Sequence, residues 1–265
     1  SVGRCANYLS KYGQISRLPT NFGPMKAWLP NLITLINLFC GCVSAVLLVN
    51  GHWPAAALVL LAGLGADFFD GMVARALKVS NPLGKELDSM ADMVSFGFLP
   101  GLIYYHLLYF RGSAALPESG RASFDYLSLV GFLVTLFAAL RLAKFNIDER
   151  QTSGFIGLAT PSSMLFAVGL LWIASHDFWG LGAYALNPAY LIPTIVLMSY
   201  LQVAELPMFS FKLKEISWSG NELRFIFAAV AMASFFSIGL AALPFIILLY
   251  VLLNLGRAIG RKTDT

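Results

Sequence analysis

From Trp28 onward the chain is a succession of apolar runs, each about one bilayer crossing long, separated by short polar or basic breaks. The runs are Trp28–Asn50, Trp53–Leu77, Gly84–Phe110, Phe124–Phe145, Thr160–Ser175, Pro188–Ala204, Glu222–Ile238 and Leu240–Ile259. A crossing helix needs roughly 20 mostly apolar residues. Open strands would leave backbone groups unpaired in lipid. The pattern therefore predicts an all-α polytopic membrane protein of eight spans, the last two joined by almost no loop.

Composition sharpens this. Hydrophobic residues make up 58% of the chain and charged residues 12%, and the mean hydropathy is +0.72. A soluble domain carries about 25% charge, so a free soluble enzyme, a disordered chain and a disulfide scaffold are excluded. The formal charge of +4 does not point to nucleic acid, because the basic residues sit in short clusters between the spans. Sorted by alternating sides, 16 of the 18 lysines and arginines share one side, and only Arg111 and Arg121 lie opposite. The positive-inside rule then puts both termini in the cytoplasm of an integral cell-membrane protein. Met25-Lys26 reads as a natural start, so residues 1–24 are treated as a tail outside the fold. The loop Gly112–Ser123 reads as a solvated connection. Cys5, Cys40 and Cys42 lack the spacing of a zinc site. Gly63 and Gly65 read as helix-packing glycines.

The candidate chemistry lies at the junction of the second and third spans. Asp67, Asp70, Gly71 and Ala74 fall on one stripe of the second helix, and Gly84, Asp88 and Asp92 recur every fourth residue on the third. A short loop makes these helices antiparallel, so the stripes can face each other at the cytoplasmic side. One aspartate at mid-bilayer costs about 2.5–3.5 kcal/mol, and converging carboxylates also repel. Arg75 alone cannot neutralise four of them, so the pattern calls for divalent cations. An all-carboxylate set suits Mg²⁺, Mn²⁺ or Ca²⁺. Four carboxylates from two helices can bridge an ion pair suited to displacement at phosphorus, and Gly71, Ala74 and Gly84 would clear space for a nucleotide. His52, His106 and His176 fall near the external ends as interfacial residues, which leaves no histidine as base.

The pattern D-x2-D-G-x2-A-R-x8-G-x3-D-x3-D, running from Asp67 to Asp92, resembles the signature of the CDP-alcohol phosphotransferases. That resemblance implies a six-helix catalytic core, usually dimeric, that moves a phosphatidyl group from a CDP-linked lipid to an alcohol and releases CMP. It implies that Asp67, Asp70 and Asp88 hold one metal ion, and that Asp67 and Asp88 with Asp92 serve the second. By the same resemblance Asp92 is the base that deprotonates the acceptor, and Gly71, Ala74, Arg75 and Gly84 line the CDP site beside Asp67. The core would cover residues 25–206, with two further helices and a basic tail in 207–265.

Three more segments resemble the phosphatidylserine synthase branch of that family: Pro30–Thr34, Arg141–Asn146 and Gly157–Ser163, although Ala159 stands where that branch commonly has proline. Asn31 can hydrogen-bond the nucleotide or a carboxylate. Arg141 and Asn146 suit the carboxylate and ammonium of a zwitterionic amino acid, and Arg141 and Lys144 also read as topological anchors. Thr160, Pro161 and Ser162 complete the expected acceptor side, with Thr160 as the helix cap and Pro161 in the first turn. The expected reaction is CDP-diacylglycerol plus L-serine giving phosphatidylserine and CMP. Mg²⁺ or Mn²⁺ would be the cofactor, Ca²⁺ an inhibitory occupant, and membrane lipids and a second copy of the chain the partners. Two alternatives stand: glycerol 3-phosphate or inositol phosphate as acceptor, and a cation or proton transporter. Clustering of the acidic residues at one side argues against transport.

Overall fold

The computed structural model describes residues 28–79, 82–111, 125–147, 155–208 and 221–263. The tail 1–24 and the loop 112–123 lie outside them. Helices dominate: α1 (Trp28–Val49), α2 (Trp53–Leu77), α3 (Pro82–Asp92), α4 (Leu99–Tyr109), α5 (Leu133–Ile147), α6 (Thr160–His176), the short α7 (Gly182–Ala185), α8 (Pro188–Val203), α9 (Glu222–Ile238) and α10 (Leu243–Thr263). A π-helical turn, Met93–Phe98, joins α3 to α4, and a 3₁₀ turn, Leu127–Phe132, leads into α5. Among the described residues, four helical stretches are long and apolar enough to cross a membrane: Trp28–Val49, Trp53–Leu77, Leu127–Ile147 and Glu222–Ala258.

The last of these is not one rod. Gly239 takes φ 58° and ψ −139°, and the rings of Phe227 and Tyr250 lie 5.9 Å apart. On a straight helix 23 residues would separate them by roughly 35 Å. The chain therefore folds back at Gly239–Ala242, and α9 and α10 form a hairpin.

Two helices make the centre. Most of α4 is buried, as is α6 over Thr160, Ser163, Met164, Ala167, Val168 and Leu171. A helix hidden on nearly all sides reads apolar all round, which is why neither shows a strong amphipathic stripe in sequence. Between helices already in lipid the hydrophobic effect contributes little, so close packing of small residues carries association. At Gly131 an added Cβ would lie 2.5 Å from the Tyr105 amide nitrogen and 2.9 Å from the Gly101 carbonyl, which fixes α4 against the start of α5. At Gly169 it would strike the Pro244 ring, so the α9–α10 hairpin docks on α6 rather than standing apart.

One feature had no counterpart in the sequence reading. Phe155–Ile156 pairs antiparallel with Pro207–Met208, Phe155 opposite Met208. Gly157 follows at φ 74°, where a Cβ would lie 2.8 Å from the carbonyl oxygens of Gln202 and Ala204. Only glycine tolerates both that dihedral and that approach. Two other expectations need correction. His106 is at the end of the molecule opposite the aspartates, as expected, but it is buried rather than interfacial, with Nδ1 3.0 Å from the Leu102 carbonyl and its ring against Tyr105. Gly63 does pack, since a Cβ added there would lie 3.1 Å from Cys40 Cβ, whereas a Cβ on Gly65 would meet nothing within 4 Å.

Candidate functional site

Three helices build the acidic end. α2 packs along α1, and α3 packs on α1 as well, so the two acid-bearing helices converge on a shared neighbour. α2 stops at Lys78, a non-glycine residue in the left-handed region (φ 52°) whose N–H bonds back into the last turn. That tight stop lets a short connection return the chain into α3. Carboxylate oxygens of Asp67, Asp70 and Asp88 come within 4.8 Å of one another. Asp92, the last residue of α3, touches Asp67 carboxyl to carboxyl, and its Oδ1 is buried with no hydrogen-bond partner among the described residues. Asp70 is itself buried, and its Oδ2 accepts a 2.5 Å hydrogen bond from Thr34 Oγ1.

Beside the carboxylates opens a cavity of about 260 Å³, lined from α1 by Pro30, Asn31 and Thr34, from α2 by Asp70, Gly71 and Ala74, and from α3 by Gly84, Lys85 and Asp88. A Cβ on Gly71 would meet nothing within 4 Å. Gly71 therefore does not serve helix packing; it leaves room. The volume lies near the lower end of the roughly 300–1,000 Å³ typical of ligand pockets.

Electrostatics states what the site requires. Two like charges 4 Å apart repel by about 4 kcal/mol at an effective dielectric constant near 20. Among the described residues no ion pair reaches the four carboxylates; the salt bridge present, Arg111 to Asp125 at 2.6 Å, is at the far end. The donor set is hard and all-oxygen, as Mg²⁺, Mn²⁺ and Ca²⁺ prefer. Oxygens on one Mg²⁺ lie at most about 4.2 Å apart, so the trio fits a divalent ion after a small inward adjustment.

The chain matches the family model described as CDP-alcohol phosphatidyltransferase over residues 27–252. It belongs to that family. It is 32% identical over 185 residues to the CDP-diacylglycerol--serine O-phosphatidyltransferase of Bacillus subtilis, covering 70% of this chain and 92% of that protein. To the protein of the same name from Helicobacter pylori (strain 26695) it is 28% identical over 231 residues, 86% of this chain and 90% of that one. An archaetidylserine synthase of Methanothermobacter thermautotrophicus is 32% identical over 136 residues, about half of each chain. The chain is thus a transferase and an integral membrane protein, and the Asp67, Asp70 and Asp88 group is one that can hold a divalent cation.

The remaining expected site residues are placed as follows in this CDP-alcohol phosphatidyltransferase. Arg75 is exposed beside the cavity without lining it, and its Nε donates to the Gly71 carbonyl at 2.8 Å. Asn146 reaches the acidic end, its Nδ2 donating to Ser89 Oγ at 3.0 Å, one residue from Asp88. Arg141 is buried, and its Nη1 donates to the carbonyls of Ile156 and Gln202 at 3.0 and 3.1 Å. It thereby ties α5 to the strand pair and to the end of α8. Thr160 does not cap α6. The cap is Ala159, extended at φ −63° and ψ 141° with no side-chain bond, and its carbonyl receives the Ser162 and Ser163 amides. Thr160 is buried in the first turn, with Pro161 and Ser162 half-buried beside it. Sequence reasoning assigned no role at the site to Thr34, named only within the Pro30–Thr34 segment, or to Lys85. Thr34 lies one helical turn from Asn31 on the same face, and that spacing is the signal that could have found it. Lys85 was counted only as a topological charge.

Proposed function

We propose that the protein transfers the phosphatidyl group of CDP-diacylglycerol to L-serine, releasing CMP. The observation that carries this reading is the convergence of Asp67, Asp70 and Asp88 within 4.8 Å at the edge of a cavity that Gly71 leaves open. In this reading the cavity takes the cytidine nucleotide against Asn31, Gly71, Ala74 and Gly84; Asp67 and Arg75 do not line it, Asp67 acting beside it through the carboxylate group it forms with Asp70 and Asp88. Asp67, Asp70 and Asp88 hold one Mg²⁺ or Mn²⁺, and Asp67 and Asp88 with Asp92 a second, with Ca²⁺ as an inhibitory occupant. The bound ions supply charge neutralisation of the pyrophosphate and of the departing CMP. Asp92 accepts the proton of the serine hydroxyl. The serine oxygen forms a bond to the β-phosphorus in line with the bridging oxygen, whose bond to that phosphorus breaks and which leaves on CMP.

Serine as acceptor is supported by the names of the relatives at 32% and 28% identity. Glycerol 3-phosphate or inositol phosphate would call for two or more extra cations near the site; Arg141 has Nη1 committed to two backbone carbonyls, and Lys85 is the one lysine or arginine among the described residues lining the cavity. Asn146, Thr160, Pro161 and Ser162 form the acceptor side in this reading, with Arg141 framing it. The chain crosses the cytoplasmic membrane eight times with its site facing the cytoplasm: a six-helix core over 25–206, the α9–α10 pair over 207–265, and a homodimer as the working unit. The test is CMP release by the purified protein given CDP-diacylglycerol, Mn²⁺ or Mg²⁺, and labelled serine, glycerol 3-phosphate or inositol phosphate. CMP with labelled phosphatidylserine is the expected result. CMP only with glycerol 3-phosphate or inositol phosphate overturns the acceptor, and no CMP with any alcohol favours a transporter.

A further inference from the structure

The third span changes helix type one residue after Asp92. From Met93 to Phe98 it is π-helical, and the Leu99 N–H bonds to the Val94 carbonyl, five residues back. The sequence supplies a cause at Pro100, which has no N–H and whose ring would clash with the carbonyl four residues before it in a regular helix. Widening the preceding turn relieves both. One extra residue in a turn also rotates what lies on either side by about 100°. The Gly84, Asp88 and Asp92 stripe can therefore be phased toward α2 independently of Gly97 and Gly101, which face α5.

Contacts from two other helices hold that turn. Ser95 Oγ donates to the Asn37 carbonyl of α1 at 3.2 Å, and Gly41 clears the way, since its Cβ would lie 2.7 Å from that hydroxyl. Thr135 Oγ1 of α5 donates to the Gly97 carbonyl at 3.1 Å, and a Cβ on Gly101 would strike that same oxygen. Ser95, Phe96 and Gly97 are all buried. A wide turn with ordinary side-chain freedom has no need of a hydroxyl pinned on each side and a glycine opposite each one.

We propose that the π turn Met93–Phe98 aims Asp88 and Asp92 at α2, and that Thr135 and Ser95 are the positioning residues that hold it in register. This rests on the reading of the carboxylates as a divalent-metal and base site. Neither hydroxyl touches substrate; each acts through the backbone of the helix that carries the carboxylates.

The test uses the full chain in detergent, as wild type, Thr135→Val, Thr135→Ser and Ser95→Ala, with Mn²⁺ binding followed by electron paramagnetic resonance in the absence of substrate. Melting temperature and CMP release are measured beside it. Thr135→Val keeps the shape and removes the donor. It is expected to melt near wild type, to bind Mn²⁺ about tenfold more weakly, and to lower kcat about as much while the KM for CDP-diacylglycerol stays put. Thr135→Ser restores the donor and should recover both Mn²⁺ affinity and kcat; Ser95→Ala should show the same pattern more weakly. Wild-type Mn²⁺ affinity and kcat in Thr135→Val, or no recovery in Thr135→Ser, overturns the inference. Loss of the fold in Thr135→Val with normal Mn²⁺ affinity in Ser95→Ala overturns it too. A wild-type protein that neither binds Mn²⁺ nor releases CMP sinks the functional reading, and this inference with it; a competent wild type beside an unaffected Thr135→Val sinks this inference alone.

Discussion

At Gly131, where α4 meets the start of α5, an added Cβ would lie 2.5 Å from a backbone nitrogen; at Gly71, in the acidic cavity, it would meet nothing within 4 Å. Both are glycines in apolar helices, and in sequence they look alike. The first makes a frame, because inside lipid close backbone approach substitutes for the hydrophobic effect that water would supply. The second preserves an opening beside charged groups that the frame alone would not tolerate. One end of the protein is filled by its own atoms, while the other is shaped for atoms that belong to something else.

The sharpest way to break this comparison is to remove what the open end is built to hold. Chelation with EDTA should abolish CMP release, and added Mn²⁺ or Mg²⁺ should restore it; turnover persisting in excess chelator would defeat the metal reading. Asp92→Asn should lower kcat by about 10²–10⁴-fold, the range for loss of a general base, while CDP-lipid binding measured by thermal shift persists. A variant with near-normal rate would show that Asp92 is not the base.

Next comes the glycine pair itself. Gly131→Val forces a side chain into backbone and should cost about 1–3 kcal/mol or more, seen as a lower melting temperature or aggregation. Gly71→Val should melt like wild type yet lose the stabilisation that CDP-diacylglycerol confers. The reverse pattern would mean that the roles of the two ends have been misassigned. A smaller effect is expected from Thr34→Val, which leaves Asp70 without its 2.5 Å partner. Losing a hydrogen bond that orients a metal-ligating carboxylate typically costs about 10–100-fold in metal affinity, so Mn²⁺ affinity should fall roughly tenfold. The smallest belongs to Arg75→Ala. Its Nε bonds within its own helix, so CDP-lipid affinity should shift by no more than about 0.5 kcal/mol. A tenfold loss would return Arg75 to the nucleotide site.

Much of the candidate site was legible because it is written in short-range spacing. Asp67, Asp70, Gly71 and Ala74 share a helix face whatever surrounds them, and so do Gly84, Asp88 and Asp92. The hairpin at Gly239 was legible only as a place where two apolar runs abut. What could not be read was anything decided between distant segments. Arg141 looks the same in sequence whether its guanidinium meets a ligand or the carbonyls of Ile156 and Gln202, which are 15 and 61 residues away. Thr160 looked like a cap because its type favours that role, but the backbone enters the helix one residue earlier, at Ala159.

The sequence by itself determined that this chain lives in a membrane, that its helices fall where the apolar runs fall, and that four aspartates line two facing stripes. Those follow from hydration energies and from the 3.6-residue period, which act locally on each residue. Only the tertiary structure decided that α1 is the floor on which the acidic helices converge, that Thr34 bonds Asp70, and that a π turn separates the acidic stripe from the glycines packed on α5. Those depend on how far apart helix axes settle, and in lipid that distance is set by contacts between side chains that no single helix contains.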